Sequence, residues 1–189
     1  MVGGACQRRP SMLGCATVKL LLARHPPPDI APGICYGRLD IALRADSQAM
    51  LRAIAGQFAA HGVEKVWSSP ARRCRAVADA TGLKLRIDPR LQELDFGTWE
   101  GLAWDAVPRA ALDAWAADPE NFAPPGGESG AAVLRRVRAV HADLLAAAED
   151  AAVIAHGGPL KLLAALLRGE APNLLAPAPP LGSVQVLFV

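Results

Sequence analysis

Charged and titratable residues stand at the ends of apolar runs in this chain, where burying them would be costly. The run "LLARHPPP" ends on Arg24 and His25, and three prolines then exclude a regular helix, because proline lacks a backbone N–H and restricts the residue before it. His156 follows the apolar run "AAVIA" in the same way, and Arg72 and Arg73 follow "VEKVW" within "SSPARR". Arginines and histidines that follow apolar runs predict a reaction site.

The chemistry that suits these residue types is phosphoryl transfer. The planar guanidinium of arginine matches phosphate oxygens and stays charged, and a histidine can act as nucleophile, acid or base. Gly157 and Gly158, which follow His156, would leave backbone N–H groups free at a helix start, where anions bind. Glu93 is the candidate proton donor to a leaving alkoxide, with Asp95 and Glu100 as nearby alternatives.

Alternating strands and helices are predicted to position these groups. Short apolar runs predict strands, and helical periodicity predicts helices, the first of them with Asp46 as its N-cap. The predicted strands cover residues 18–23, 63–67, 84–87, 151–155 and 183–189, and the predicted helices cover 46–62, 70–82, 103–118, 128–150 and 160–169. This order predicts an α/β fold, a three-layer α/β/α arrangement with a mostly parallel central sheet. Ligands bind at the carboxyl ends of such strands, so one rim should gather the arginines and histidines.

The length of the chain and its loops predict the domain organisation. The 189 residues suffice for one domain with a sizeable core, which we place at residues 17–189. Residues 1–16 are expected to form a flexible N-terminal extension. The segment from about 96 to 127 is long for a crossover connection, which predicts a lid over the site.

Composition excludes several classes of protein. Hydrophobic residues make up 52% of the chain and charged residues 20%, which is typical of a soluble globular domain, and the net charge of +2 does not favour nucleic-acid binding. No apolar run is long enough for a membrane span. The four cysteines form no CxxC pair, which favours a reducing, cytoplasmic compartment and no structural zinc.

Four motifs together resemble the histidine phosphatase superfamily, in the branch that contains cofactor-dependent phosphoglycerate mutases. They are "RH" after the first strand, "SSPARRC", "LQELDFGTWEG" and "AHGG", and the resemblance runs from Val18 to the end of the chain. Each motif alone is weak, but four in this order on the expected elements are specific. The resemblance implies a phosphoglycerate mutase-like fold, a phosphohistidine intermediate and no cofactor or metal.

The resemblance also implies roles for individual residues. His25 corresponds to the phosphorylated nucleophile, Glu93 to the general acid, and His156 to the second histidine that polarises the phosphoryl group. Arg24 and Arg73 correspond to phosphate ligands, which leaves Arg72 and Arg75 as a solvated helix face. Gly157 joins Arg24 and Arg73 as a phosphate-binding residue through its backbone N–H. Tyr36, Gly37 and Arg38 match a substrate-side loop less specifically, and Trp99 or Trp104 would stack on an aromatic substrate.

The sequence departs from the family pattern in two places. Pro26 stands where the family usually has glycine, and "PPDIA" replaces the polar residues that usually follow, which puts one phosphate contact in doubt. The stretch "LDFGTWEG" replaces the segment typical of mutases, which favours hydrolysis. The stretch "RHPPPDIAPGICYGRLDIAL" is most similar to the α-ribazole phosphatases, which remove phosphate late in cobalamin nucleotide-loop assembly.

Several alternatives remain open from the sequence. The chain could be a broad-specificity phosphatase, a phosphoglycerate mutase-like enzyme, or a non-catalytic binder of phosphate esters. Two histidines and a carboxylate could form a metal site, although nearby arginines would repel a cation. Asp40 is interpreted as a turn residue, and Glu128 either begins a helix or reaches the rim. The expected partner is a small-molecule phosphate monoester, and the apolar final strand could mediate a homodimer.

Overall fold

A five-stranded sheet organises the computed structural model of this chain, which describes residues 17–189. The predicted extension, residues 1–16, lies outside the described residues. The strand order is β3-β2-β4-β1-β5, in which β5 runs antiparallel to β1 and the other neighbours are parallel. The strands are β1 (Lys19–Arg24), β2 (Lys65–Ser68), β3 (Lys84–Ile87), β4 (Ala151–Ala155) and β5 (Val184–Phe188).

Helices cover both faces of this sheet, which confirms the predicted three-layer α/β fold. Alternate residues of a strand face opposite sides. Leu20 and Leu22 of β1 therefore pack in one core, while Leu21 and Ala23 pack in the other. The first core includes α4 (Gly130–Ala147) and α5 (Gly157–Leu167), and the second includes α1 (Gln48–Ala60) and α2 (Arg72–Thr81). All five residues of β4 are buried, as expected for a central parallel strand.

Two predicted helix starts are corrected by the structure. Asp46 is not the N-cap of the first helix: it lies in a short 3₁₀ turn, pairs with Arg44, and α1 follows Ser47. The second helix begins at Arg72 rather than at Pro70, because the Ser69 hydroxyl bonds the Ala71 N–H in the turn before it.

The predicted helix over 103–118 is shorter than expected. A 3₁₀ turn covers Trp104–Ala106, and α3 covers Arg109–Ala117. Pro108 is the residue that precedes α3, because proline cannot donate an intrahelical hydrogen bond but fits at a helix start. The helix predicted to start at Glu128 starts at Gly130, with the Ser129 hydroxyl accepting from the Ala132 N–H.

Aromatic side chains hold together the segment that the sequence marks as a lid. Phe96, Trp104 and Trp115 make edge and stacked contacts with ring centroids 5.3–6.3 Å apart. Backbone hydrogen bonds join this segment to the loop after β1, since Cys35 donates to Leu102 and Gly101 donates to Cys35. The segment therefore packs as a small core of its own beside the sheet. Over residues 17–189, no helix combines the length and the apolar character needed to cross a membrane.

Candidate active site

The two histidines meet at the carboxyl edge of the central strands. Arg24 pairs with Ala155 in the β1–β4 register, so the next residue of each strand, His25 and His156, falls at the same level. Their ring centroids are 5.1 Å apart at an interplanar angle of 65°, and each residue is 1% exposed. The sheet thus joins two residues that lie far apart in sequence, as the rule for parallel strands predicts.

Hydrogen bonding defines the tautomer of His25. Its Nδ1 lies 2.7 Å from the carbonyl oxygen of Pro26, which can only accept, so Nδ1 carries the hydrogen and the Nε2 lone pair is left for chemistry. Burial, with smaller contributions from the Arg73 and Arg24 cations, lowers the pKa of His25 to about 3 against the opposing effect of the Pro26 bond. The imidazole is therefore neutral at pH 7, as a nucleophile must be.

Arg73 orients His156 from inside the protein. The guanidinium is completely buried, and its Nε donates to His156 Nδ1 at 3.3 Å. Since Nδ1 accepts, Nε2 carries the hydrogen and donates to the Ser69 hydroxyl at 2.8 Å. Burial holds the pKa of His156 well below its ordinary value, and the Arg73 charge adds to this effect. The Cys74 thiol lies 3.5 Å from the same Nε2.

Arg73 also fastens the loop predicted to lie on the substrate side. Nη1 donates to the Leu39 carbonyl at 2.7 Å and Nη2 donates to the Gly37 carbonyl at 2.6 Å. These bonds and the one to His156 use three of the five N–H groups of a guanidinium. The Tyr36 ring lies 5.5 Å from Arg73 Cζ. Arg73, the predicted phosphate ligand, is not among the residues that line the two cavities at the site, and two of its N–H groups remain beyond these three bonds.

Arg24 lies between β1 and the start of α5. Its Nη1 donates to the Pro179 carbonyl at 2.6 Å, while its Nε is buried and has no hydrogen-bond partner among the described residues. A Cβ at Gly157 would lie 2.8 Å from Ala178 Cβ and 3.1 Å from Arg24 Cζ. Glycine at this position therefore lets the guanidinium pack directly against the N-terminus of α5.

Glu93 carries its carboxylate to the same helix N-terminus. Oε2 accepts from the Gly158 N–H at 3.2 Å, and Oε1 accepts from the Leu94 N–H at 2.9 Å. A side chain at Gly158 would overlap Glu93 Oε1, so the close approach depends on glycine. The positive end of the α5 dipole favours a negative group here. Asp95 and Glu100, the alternative carboxylates, instead bond backbone N–H groups of Gly97, Phe96 and Arg38.

Two cavities of about 260 Å³ each flank Glu93. One is polar and reaches His156, with Gly37, Arg38, Asp40 and Gln92 among its lining residues. The other opens on Arg24, His25 and Tyr36, and its remaining wall is largely apolar and aromatic. That wall comprises Ile34, Leu94, Phe96, Trp104, Trp115, Val133, Leu162 and Leu174, together with Lys161 and Gly158. The reacting groups thus sit at the mouth of an aromatic cavity.

The structure corrects one predicted substrate contact, Trp99, and shows where its alternative, Trp104, lies. Trp99 is 3% exposed, packs against Cys35 and Val107, and lines neither cavity, so it does not stack on a ligand in this arrangement. Trp104, the alternative candidate for stacking on a substrate, lines the aromatic cavity together with Trp115. Five aromatic residues lie in the segment 96–127, and nothing in the sequence distinguishes the three that face the cavity.

Several polar residues near the site take structural roles. The Asp40 carboxylate accepts from the Arg72 N–H at the start of α2, so Asp40 caps a helix, and both Arg72 and Arg75 are exposed as predicted. Glu128 reaches the rim, where it accepts from Arg38 and from the Asp95 N–H. Sequence reasoning missed Ser69, whose place directly after a strand in "SSP" was the available signal. Within residues 17–189, no cluster of three or more His, Cys, Asp or Glu residues is arranged to hold a metal ion.

Comparisons with known proteins identify the family of this chain. Residues 20–187 match the family model described as "Histidine phosphatase superfamily (branch 1)". The glucosyl-3-phosphoglycerate phosphatase of Mycobacterium tuberculosis is 32% identical over 167 residues, which cover 79% of this chain and 74% of that protein. Phosphoserine phosphatase 1 of Hydrogenobacter thermophilus is 29% identical over 129 residues, which cover 64% of this chain and 61% of that protein.

The match to another relative is partial, and one solved structure is similar throughout. This chain covers 43% of the length of the Bifunctional protein Rv2228c of M. tuberculosis, to which it is 34% identical. The mycobacterial glucosyl-3-phosphoglycerate phosphatase solved with VO3 superposes with a TM-score of 0.77 and 28% identity, covering 89% of this chain and 90% of that one. None of these names specifies the α-ribazole subgroup. The chain belongs to branch 1 of the histidine phosphatase superfamily and is a phosphatase of the type that uses a histidine nucleophile.

Proposed function

We propose that His25 is the nucleophile that attacks the phosphorus of a small-molecule phosphate monoester. The observation that carries this proposal is the bond from His25 Nδ1 to the Pro26 carbonyl, which leaves the Nε2 lone pair beside Arg24 at the mouth of a cavity. Nε2 forms a bond to phosphorus as the bond from phosphorus to the ester oxygen breaks. The departing oxygen keeps that electron pair, and a phosphohistidine remains.

Positive charge around this nitrogen would stabilise the transferring group. Arg24 lines the cavity, and its buried Nε has no hydrogen-bond partner among the described residues. Arg73 lies behind His156 with two N–H groups beyond its three bonds. Fixed donors of this kind stabilise charge on the equatorial oxygens of phosphorus without reorganising during the reaction. His156 and the Gly157 N–H complete the set on the phosphoryl side.

Glu93 supplies and removes the proton in the two halves of the reaction. As an acid it protonates the leaving oxygen, and as a carboxylate it then takes a proton from the water that attacks phosphohistidine. In that second step the bond from phosphorus to nitrogen breaks, its electron pair returns to His25 Nε2, and inorganic phosphate leaves. Glu93 lines both cavities, which supports this double role.

The aromatic cavity supports α-ribazole 5′-phosphate as the substrate. Its base is a flat, apolar heterocycle, which Trp104, Trp115 and Phe96 could contact edge-on or face-on. Phosphoserine and glucosyl phosphoglycerate, by contrast, carry charged and hydroxyl groups that this apolar wall would leave without partners. A second candidate is an ester that bears a carboxylate, because Lys161 lines the same cavity and offers it a cation.

Phosphate release from a matched set of esters tests these assignments. We expect release from α-ribazole 5′-phosphate that exceeds release from phosphoserine and 3-phosphoglycerate, in the presence of a chelator, and loss of all release in His25→Ala. Acid-labile label on the wild-type protein after incubation with a ³²P-labelled ester, absent in His25→Ala, would identify phosphohistidine. Preference for the carboxylate esters would favour the second candidate. Binding of the esters without any release would leave only a phosphate-ester binder.

A further inference from the structure

The loop that carries Glu93 has no regular secondary structure to hold it. It lies between a 3₁₀ turn at Pro89–Leu91 and another at Gly97–Trp99. The Glu93 carboxylate is held by backbone N–H groups, but its main chain depends on contacts from elsewhere in the fold. One side chain, Arg136 of α4, donates three hydrogen bonds to carbonyls of this loop.

Every N–H group of the Arg136 guanidinium donates a hydrogen bond, either to this loop or to Glu128. Nη1 donates to the carbonyls of Arg90 and Gln92, and Nη2 donates to the Glu93 carbonyl at 3.1 Å. Nη2 and Nε also donate to the two carboxylate oxygens of Glu128, at 2.7 and 3.4 Å. All five N–H groups of the side chain therefore have acceptors, and three of those acceptors belong to the four residues that end at Glu93.

Glu128 extends the same network to the substrate side. Its Oε1 also accepts from Arg38 and from the Asp95 N–H, each at 3.2 Å. The side chains of Arg136 and Glu128 are only 13% and 15% exposed, so this bidentate pair is largely shielded from water. The Arg136 and Arg38 cations lower the pKa of Glu128 against the opposing effect of burial. Glu128 is thus a carboxylate at neutral pH and an acceptor throughout.

The helix that bears Arg136 is a rigid support. Val133, Val137, Val140 and Leu144 of α4 are buried in the core that α4 shares with α5. The N-terminus of α5 holds the Glu93 carboxylate through Gly158. Two helices packed in one core therefore fix the two ends of the same residue: α4 fixes its carbonyl and α5 fixes its carboxylate.

We propose that Arg136 is a positioning residue for the general acid, acting through the backbone of Glu93 rather than on the substrate. This inference rests on the proposed function, in which Glu93 protonates the leaving group. A displaced carboxylate would slow the reaction of esters whose leaving alkoxide needs a proton. It would matter little for esters whose leaving group departs as a stable anion.

Comparing esters with different leaving groups therefore distinguishes a positioning role of Arg136 from a general loss of protein stability. The test measures kcat/KM, which reports the step that forms phosphohistidine, for an alkyl phosphate and for 4-nitrophenyl phosphate. We expect Arg136→Lys to lower kcat/KM for the alkyl ester about 10-fold or more, and for the nitrophenyl ester by less than about 3-fold. Lysine keeps the charge but has three donors, too few for five acceptors. Arg135→Met, at an exposed neighbour on α4, is the matched control and should change neither value.

A second variant pair makes the test independent of folding. In a Glu93→Gln background, adding Arg136→Lys should lower kcat/KM for the alkyl ester by less than about 2-fold. The side chain that Arg136 positions can then no longer donate a proton to the leaving oxygen. Equal losses on both esters, or an additive loss in the double variant, would overturn the proposal and leave Arg136 as a structural residue. A wild-type protein that releases no phosphate from either ester would instead overturn the proposed function, and the unsubstituted protein alone reports that outcome.

Discussion

A buried neutral histidine makes the stability of this protein depend on pH. The pKa of His25 is about 3 in the folded state, below its ordinary value of 6.5, mainly because the imidazole is buried. The unfolded chain binds a proton on this group as the pH falls through about 6.5, and the folded chain does not until about pH 3. Unfolding therefore takes up a proton in this window, and acid lowers the free energy of unfolding.

We predict that His25→Gln weakens this dependence. Lowering the pH from about 7.5 to about 5.5 should cost the wild-type protein about 1 kcal/mol through His25, and the variant should lose that much less. Urea unfolding at both pH values measures the difference, and the slope that His156 contributes persists in both proteins. Identical losses in wild type and variant would show that His25 is not held neutral by burial.

Adding one methyl group at Gly158 should change the activity of the protein without lowering its stability. A methyl group there would overlap the Glu93 carboxylate, although alanine suits the first turn of a helix. We predict that Gly158→Ala lowers kcat/KM for an alkyl phosphate about 10-fold or more while the free energy of unfolding stays the same or rises by up to about 1 kcal/mol.

A glycine in open space provides the control for this prediction. Gly56 lies on the exposed side of α1, and a Cβ there meets nothing within 4 Å. Gly56→Ala should raise the free energy of unfolding by about 0.5–1 kcal/mol and leave kcat/KM within about 2-fold of the parent protein. If Gly158→Ala keeps full activity, the carboxylate does not need the close approach to α5.

At the scale of elements, the segment 96–127 contributes three aromatic side chains to the wall of one cavity at the site. Trp104 stacks on Trp115 and meets Phe96 edge to face, and all three line the aromatic cavity. We predict that Trp104→Leu raises KM for α-ribazole 5′-phosphate about 3- to 10-fold, the range expected for one lost aromatic contact, and changes KM for phosphoserine less than 2-fold.

A second aromatic residue of the segment controls for packing. Phe122 contacts Trp99 in the same small core but lines neither cavity. Phe122→Leu should therefore lower stability without changing KM for either ester. Equal changes in KM for both esters in Trp104→Leu would indicate that the wall is not selective. Steady-state kinetics on the purified variants give both values.

How far the sequence predicts these elements depends on the range of the interactions that form them. Strands β3 and β4 have the predicted bounds, because short apolar runs between turn formers need only local information. The helix over 103–118 was shortened by Pro108, whose backbone restriction the apolar period conceals. The convergence of His25 and His156 followed from the rule for parallel strands.

The remaining features of the site depend on contacts that no local pattern reveals. The hydrogen bonds from Arg136 join residues 43 to 46 positions apart, and their acceptors are carbonyls, which every residue possesses. Enclosure of Arg73 by the Gly37 and Leu39 carbonyls is likewise a property of the folded loop. The choice of Trp104 over Trp99 as a cavity residue depends on side-chain packing among chemically similar neighbours.

At the scale of the whole molecule, the alkylation rates of two buried thiols show whether one part of the structure opens without the rest. Burial raises the pKa of Cys35 and of Cys74 to about 12 each, so both should resist alkylation in the folded protein. Cys74 lies in the core between the sheet and helices α1 and α2, whereas Cys35 lies in the small core with Trp99 and Val107.

We predict that Cys35 is alkylated before Cys74 under native conditions at about pH 8. The small core has fewer buried contacts, so the segment 96–127 should open without global unfolding, which is what a lid requires. Mass spectrometry of the two cysteine peptides during iodoacetamide labelling measures each rate. Equal rates that follow the global free energy of unfolding would mean that the segment and the sheet open as one unit.

The bond from Arg24 to the Pro179 carbonyl joins residues that are 155 positions apart. The same stretch of chain also binds the backbone of Arg24 and of His25. The Ser183 carbonyl accepts from the Arg24 N–H, and the Gly182 N–H donates to the His25 carbonyl. A ribosome makes Arg24 and His25 early and residues 179–183 only much later. A nascent chain that stops before residue 179 would therefore present Arg24 and His25 without the backbone contacts that hold them.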